Sequence, residues 1–201
     1  MELPYRLTDE YTLVEKIGQG GMAVIYRGLK HGDGFEKPVV IKIPRKGFIE
    51  PLILEGVVGA QISHPNIRGA IHLGGTLKHR AFLVLEYVDG WSLAHILRLA
   101  RAAQMVVSPS IAAFIASEVC EGLAYLHTTR GYHGPSGKPG YCGRIVHRDL
   151  KPSNVLISRA GRVQIIDFGL FSSPTPELDD DVDAHALTAG EPDAPTGRIN
   201  G

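Results

Sequence analysis

The chain has 201 residues, 44% hydrophobic and 21% charged, an ordinary globular balance that suits one domain or a small two-lobed unit. Its formal net charge is zero but unevenly placed: residues 172–201 hold seven acids and one base, leaving 20 bases against 14 acids in residues 1–171, which suits a phosphate ligand or, equally, a solvated surface. Neither Cys120 nor Cys142 sits in a CxxC pair, no apolar run approaches the roughly 18–20 residues that span a bilayer, and the first residues lack a signal-peptide core, so a metal–thiolate framework and a membrane segment are not expected and the cytoplasm is the simplest location.

Residues 11–17 alternate toward Ile17 and predict a first strand. Gly18-Gln19-Gly20-Gly21 predicts a turn, and Val24-Ile25-Tyr26-Arg27 opens a second strand. In such a hairpin, glycine lets backbone N–H groups approach a phosphate with no Cβ in the way. Taken alone, the turn fits a plain hairpin equally well, and the lack of a following helix argues against a Rossmann dinucleotide site. Residues 28–38, with Gly28, Gly32, Gly34 and Pro38, predict an exposed connection. Val39-Val40-Ile41-Lys42-Ile43 then predicts a short buried strand. A buried, unpaired ammonium is costly. Lys42 either snorkels to water from an edge strand or pairs with phosphate, and the glycine turn upstream favours phosphate.

Residues 50–63 predict a helix bearing two acids, Glu50 in its first turn, where the dipole favours a carboxylate, and Glu55 further along. Ile71–Gly74 and Ala81–Val88 predict two more strands, joined by a turn around Thr76, Lys78, His79 and Arg80. Ser92 is the expected N-cap of a helix through Leu93, Ile96, Leu97 and Ala100. Ser108 caps the next helix, with Pro109 in its first turn and apolar residues at helical spacing from Ile111 to Leu126, ending at His127. Residues 128–144, with five glycines and two prolines, predict a flexible loop, in which His133 and Cys142 match no metal-ligand spacing.

The stretch His147-Arg148-Asp149-Leu150-Lys151-Pro152-Ser153-Asn154 concentrates the chemistry. Asp149 is a candidate base, Lys151 a cation that can reach an anion beside it, and Asn154 an oxygen ligand for a hard cation. After a predicted strand at Val163–Ile166, Asp167-Phe168-Gly169 supplies a second carboxylate. Acid, cation, amide and second acid suit metal-assisted phosphoryl transfer, with turn-forming aspartates as the plainer alternative.

Six features in one order carry a family resemblance. They are the glycine turn, Val39-Val40-Ile41-Lys42, Glu55 with His64-Pro65-Asn66-Ile67, Glu86-Tyr87-Val88, the 147–154 stretch and Asp167-Phe168-Gly169. Over residues 11 to about 171 the chain resembles the eukaryotic-like (Hanks-type) bacterial serine/threonine protein kinases. Ala23 stands where that pattern has a third glycine. The resemblance implies an α+β, bilobal, protein kinase-like fold. Residues 11–88 would form a five-stranded antiparallel N-lobe with one regulatory helix. Residues 89–171 would form an incomplete helical C-lobe with the catalytic loop, and 172–201 an acidic, Pro/Gly-rich disordered tail.

The resemblance also implies ATP, Mg²⁺ and an unidentified protein substrate, with no nucleic acid. Ile17, Gly18, Gln19, Gly20, Gly21, Met22, Ala23, Val24 and Ile25 would bind ATP, with the glycine turn as a lid over its phosphates. Lys42 would fix the α- and β-phosphates and be held by Glu55. Leu85 would lie beside the adenine, with backbone groups of Glu86 and Val88 at its edge. Lys151 would sit against the γ-phosphate, in the form typical of serine/threonine-specific members. Asp149 would orient the substrate hydroxyl and accept its proton, while Asp167 and Asn154 would each hold a Mg²⁺ ion. After Phe171 the family's pattern does not continue. The resemblance therefore implies either the front part of a kinase, cut short after its Asp-Phe-Gly motif and weak or silent alone, or a naturally short nucleotide-binding interaction module without catalysis. Either would leave an apolar face on the 109–127 helix for a partner.

Overall fold

Strand alternation decides how the first half of the chain folds. In the computed structural model, which describes residues 2–32, 34–76, 81–129 and 145–167, six strands form one antiparallel sheet. They are β1 (Tyr5–Arg6), β2 (Tyr11–Gln19), β3 (Ala23–Gly32), β4 (Phe35–Pro44), β5 (Ala70–Gly74) and β6 (Phe82–Glu86), in the order β1-β2-β3-β4-β6-β5. β4 lies inside the sheet, between β3 and β6. Successive side chains on a strand point to opposite faces. Val39, Ile41 and Ile43 accordingly cluster with Tyr11, Leu13, Phe82 and Val84, whereas Val40 clusters with Leu52, Leu83 and Leu85. Burial on both faces explains the consecutive apolar residues Val39-Val40-Ile41 ahead of Lys42, and each fully buried aliphatic side chain contributes about 1.5–3 kcal/mol. Lys42 shares the parity of Val40. It is therefore aimed at the face covered by helix α1 (Ile49–Gly59), which buries Leu52 and Glu55 one turn apart on one side.

Three local expectations are corrected. Residues 28–38 are not an exposed connection, because β3 runs to Gly32 and β4 restarts at Phe35, with Leu29 opposite Pro38 and Gly32 opposite Phe35. Pro38 is tolerated because the β6 pairing starts only at Val39. The glycine turn is also shorter than expected, since Gly18 and Gln19 still pair with Ile25 and Val24. The chain reverses between Gly20, whose N–H donates to Ala23 O at 2.9 Å, and Ala23. Finally, α1 stops at Gly59 rather than 63, and Gln61 and Ile62 close tighter turns back to Val58 O and Gly59 O. Ile62 stays buried in that turn, which is why the apolar periodicity overran the helix. The five expected strands are joined by β1, a two-residue strand too short for any alternation signal.

The second half holds helices α2 (Leu93–Ala102) and α3 (Pro109–Thr128) and a three-stranded sheet of β7 (Gly90–Ser92), β8 (Val155–Ser158) and β9 (Val163–Ile165). Of these strands only β9 was expected. Ser92 and Ser108 cap the two helices, accepting from His95 N–H at 3.2 Å and Ile111 N–H at 3.3 Å. α3 approaches β9 at Gly122, where a Cβ would lie 2.9 Å from Ile165 Cδ1. On the helix, Ile111 and Phe114 remain half exposed.

The segment after α1 ties the two halves together. Ile67 bridges Ile165 in parallel, with Ile165 N–H donating to Asn66 O at 2.8 Å and Arg68 N–H to Ile165 O at 3.0 Å. Asn66 Nδ2 donates to Glu118 Oε2 on α3 at 2.7 Å and to Val163 O at 3.0 Å. Residues 77–80, 130–144 and 168–201, and with them His133, Cys142, Phe168, Gly169 and the expected tail, lie outside the described residues.

Candidate active site

Lys42 is 5% exposed, and its ammonium lies 2.5 Å from Glu55 Oε1 and 2.7 Å from Asp167 Oδ1. Of the two acids on α1, Glu55 makes the pair, and Glu50 is exposed. The parity of β4 and the one-turn spacing of Leu52 and Glu55 bring the two ends together. Asp167 follows β9 with φ +58°, in the left-handed region. Burial pushes its carboxyl pKa up, but the Lys42 and Arg68 cations, with a hydrogen bond from Lys42, outweigh burial and hold it below the ordinary carboxylate value.

The 147–154 stretch is organised by its own side chains. His147 is buried, with Nε2–H donating to Ile166 O at 3.0 Å and Nδ1 accepting from Asp149 N–H at 3.3 Å. Arg148 takes φ +59° and is exposed. A 3₁₀ turn at Pro152–Asn154 brings Asn154 back beneath Asp149. Asn154 Nδ2 donates to Asp149 O at 2.8 Å and to Asp149 Oδ2 at 3.1 Å. Lys151 Nζ donates to the same Oδ2 at 2.6 Å. The Lys151 hydrogen bond, aided by Asn154, lowers the Asp149 pKa.

One cavity of about 260 Å³ gathers these groups. The glycine turn contributes Gly20, Gly21, Met22 and Ala23, with Ile25 beyond it. β4 and α1 contribute Lys42 and Glu55, and the later strands and loop contribute Asp149, Lys151, Asn154 and Asp167. Phe48, Pro51 and Leu52 also line it. None of Phe48, Pro51 and Leu52 was an expected site residue. Ile17, Gly18, Gln19, Val24, Leu85, Glu86 and Val88 are not among the lining residues. Ile17 is 47% exposed. Leu85 is buried with Val40, Leu52 and Leu83, and Glu86 N–H donates to Gly69 O at 3.4 Å.

The glycines of the turn are not explained by packing. A Cβ on Gly21 would meet nothing within 4 Å, and one on Gly20 only Ala23 O at 3.9 Å. What a Cβ would fill is cavity space, as a cradle for an anion requires. The donor set fits a hard divalent cation as well. Asp167 and Asn154 Oδ1 offer oxygen atoms of the kind such a cation takes, and Asn154 is held through its amide nitrogen. Among the described residues no cluster of three or more His, Cys, Asp or Glu could hold a metal by itself. A site of one or two protein oxygens completed by substrate phosphates is the usual arrangement for Mg²⁺. Arg68, whose Nη2 lies 3.2 Å from Asp167 Oδ1, had no signal in the sequence beyond its place after Ile67.

Residues 11–185 match the family described as the protein kinase domain, a span that runs past residue 171, where the motif resemblance stopped. The chain is 33% identical to a protein named probable serine/threonine-protein kinase PknB from Lactococcus lactis, over 81% of this chain and 24% of that protein. It is 32% identical to the Myxococcus xanthus tyrosine-protein kinase MasK, over 80% of this chain and 25% of that protein. The chain thus spans about a quarter of the length of these curated relatives. In fold it is similar to the crystal structure of the Mycobacterium tuberculosis PknI kinase domain (TM-score 0.60, 24% identity), with 87% of this chain and 66% of that one covered. The family match takes in most of the sequence, every paired strand of the main sheet except β1, and all of the cavity-lining residues, and on that ground the chain belongs to the protein kinase domain family.

Proposed function

We propose that the chain carries the machinery of an ATP-dependent protein serine/threonine kinase, moving the γ-phosphoryl group of ATP to a hydroxyl on a protein. One observation carries the reading: the Lys42–Glu55–Asp167 network and the Asp149–Asn154–Lys151 network share a single cavity roofed by the glycine turn. Phosphoryl transfer asks the protein mainly for positioning and charge neutralisation. Lys42, pre-set by Glu55, holds the α- and β-phosphates, and the backbone around Gly20 and Gly21 closes over them. Asp167 and Asn154 would hold Mg²⁺, which supplies charge neutralisation to the phosphates when bound. Lys151, paired with Asp149, would sit against the γ-phosphate.

Asp149 is kept easily ionised by Lys151 and Asn154. It is therefore a better acceptor for orienting a hydroxyl than a strong base, which is what a loose transition state requires. The hinge roles of Leu85, Glu86 and Val88, and those of Ile17 to Gln19 and Val24, belong to the same proposal, as do a division into lobes at residues 88 and 89 and a cytoplasmic place of work. Among the described residues, no helix is long and apolar enough to cross a membrane. Serine or threonine as acceptor is supported by Lys151 and by the relative named a serine/threonine kinase. The test is thermal melting with Mg-ATP: a rise in the wild type that disappears in Lys42→Ala supports the reading, and no rise in the wild type overturns it.

A further inference from the structure

The network around Lys42 contains a fourth charge that the proposed reaction does not use. Arg68 is 7% exposed, and its Nη2 lies 3.2 Å from Asp167 Oδ1, the oxygen that Lys42 Nζ approaches at 2.7 Å. Backbone pairing fixes its position. Arg68 N–H donates to Ile165 O at 3.0 Å, and Ile67 bridges Ile165 in parallel. Asp167, two residues past Ile165, is held in the left-handed region, which is unfavourable for a residue with a Cβ. A guanidinium does not lose its proton in a protein, so burying one requires an anion. Among the described residues the ion pair of Arg68 is with Asp167. Arg68, Lys42, Glu55 and Asp167 together are two cations and two carboxylates, a group already neutral before any ligand enters.

We propose that Arg68 is a positioning residue acting through Asp167: it fixes the carboxylate before a divalent cation arrives and thereby sets how much divalent cation the site requires. The inference rests on the kinase reading above and concerns its metal step. Two cations on one carboxylate oxygen oppose a third. Lys42 has Glu55 as a second partner, whereas Arg68 directs its charge to Asp167 alone among the described residues. Replacing Arg68 with a neutral side chain removes a fixed positive charge 3.2 Å from Asp167 Oδ1, an oxygen of the carboxylate that would hold the cation. Cation binding then tightens, on the order of tenfold.

The experiment uses the full chain with a non-hydrolysable ATP analogue at fixed concentration and titrates Mn²⁺, reading free Mn²⁺ by electron paramagnetic resonance. Arg68→Gln and Arg68→Met are expected to lower the Mn²⁺ midpoint on the order of tenfold, while Arg68→Lys, which keeps the charge, stays within about twofold of wild type. A purely structural role moves the melting temperature and leaves the midpoint where it was. An unchanged midpoint in folded Arg68→Gln, or a Lys variant that behaves like Gln, overturns the proposal. Loss of folding in both neutral variants overturns it too, since Arg68 is then only a structural counter-ion. If wild type shows no Mn²⁺-dependent binding of the analogue, the kinase reading itself has failed. If wild type binds and the variants do not shift, this inference alone has failed.

Discussion

Lys42 Nζ meets Glu55 Oε1 at 2.5 Å with both side chains at most 10% exposed. A pair this buried is costly to break from one side, because the remaining charge is left without a partner. Lys42→Ala is therefore expected to destabilise the chain by about 3–5 kcal/mol. Lys42→Ala combined with Glu55→Ala should cost less than the sum of the singles, with a coupling of roughly 0.5–3 kcal/mol. Urea unfolding of the four proteins in the cycle measures it, and strict additivity would contradict the pair's coupling.

Two glycines should respond in opposite ways. A Cβ on Gly90 would sit 2.1 Å from Ile157 O and 2.6 Å from Ser158 Cα, so β7 must separate from β8 to accept it. Gly90→Ala is expected to lower stability by about 1–3 kcal/mol and to loosen Asn154, which leads directly into β8. Gly21→Ala has open space around its Cβ and should leave stability within about 0.5 kcal/mol of wild type. It should nevertheless shrink the melting-temperature rise given by Mg-ATP. Chemical denaturation and thermal melting with nucleotide, run on both variants, separate the two effects.

Asp167 gives the metal-free protein a defined acid sensitivity. Its carboxyl pKa is held below the ordinary value of 3.8 against the opposing effect of burial, because Lys42 and Arg68 face it. Between the folded and unfolded pKa values the unfolded chain binds more protons, so stability rises with pH across that window. The contribution is complete above the unfolded value and is lost as pH falls through the folded one. Measured without divalent cation, the stability difference between wild type and Asp167→Asn should be flat above about pH 5 and shrink below about pH 4. A difference that stays flat down to pH 3 would contradict the assignment.

Much of the site could be read from the residues because its chemistry is local. Asp149, Lys151 and Asn154 lie within six residues, and a short turn is enough to join them. Lys42 announced itself as a charge inside an apolar run. The pairing with Glu55 came from the family resemblance, which sets it nine residues before His64-Pro65-Asn66-Ile67, with Glu50 as competitor; the structure pairs Lys42 with Glu55 and leaves Glu50 exposed. What stayed hidden depends on long-range pairing. Arg68 reaches Asp167 only because Ile67 and Arg68 pair with Ile165, and nothing in residues 64–69 encodes that partner. The hairpin at 28–38 was misread because the arms project beyond β6 and lose the apolar alternation that marks a strand against a core. Strands β7 and β8 owe their existence to each other and to β9, and at three and four residues they carry little periodicity of their own.

Nucleotide binding has a thermodynamic signature of its own. At a Mg-ATP concentration of about one hundred times Kd, linkage gives roughly 2.7 kcal/mol of stabilisation, or about 5–10 °C in Tm for a domain of this size. Glu55→Ala should reduce this rise without abolishing it, because Asp167 still orients Lys42. Differential scanning calorimetry with and without Mg-ATP measures it, and a rise equal to wild type would remove Glu55 from the binding machinery.

Phosphoryl transfer by the Asp149 network is the proposed reaction. Its most direct measurement is label transfer from γ-labelled Mg-ATP to a generic protein substrate, with phosphoamino-acid analysis of the product, by wild type and by Asp149→Asn. Labelled serine or threonine is expected from wild type, with a loss of about 10²-fold or more in Asp149→Asn and the Mg-ATP melting shift retained. Nucleotide binding with no transfer by wild type, or equal transfer by Asp149→Asn, would contradict it.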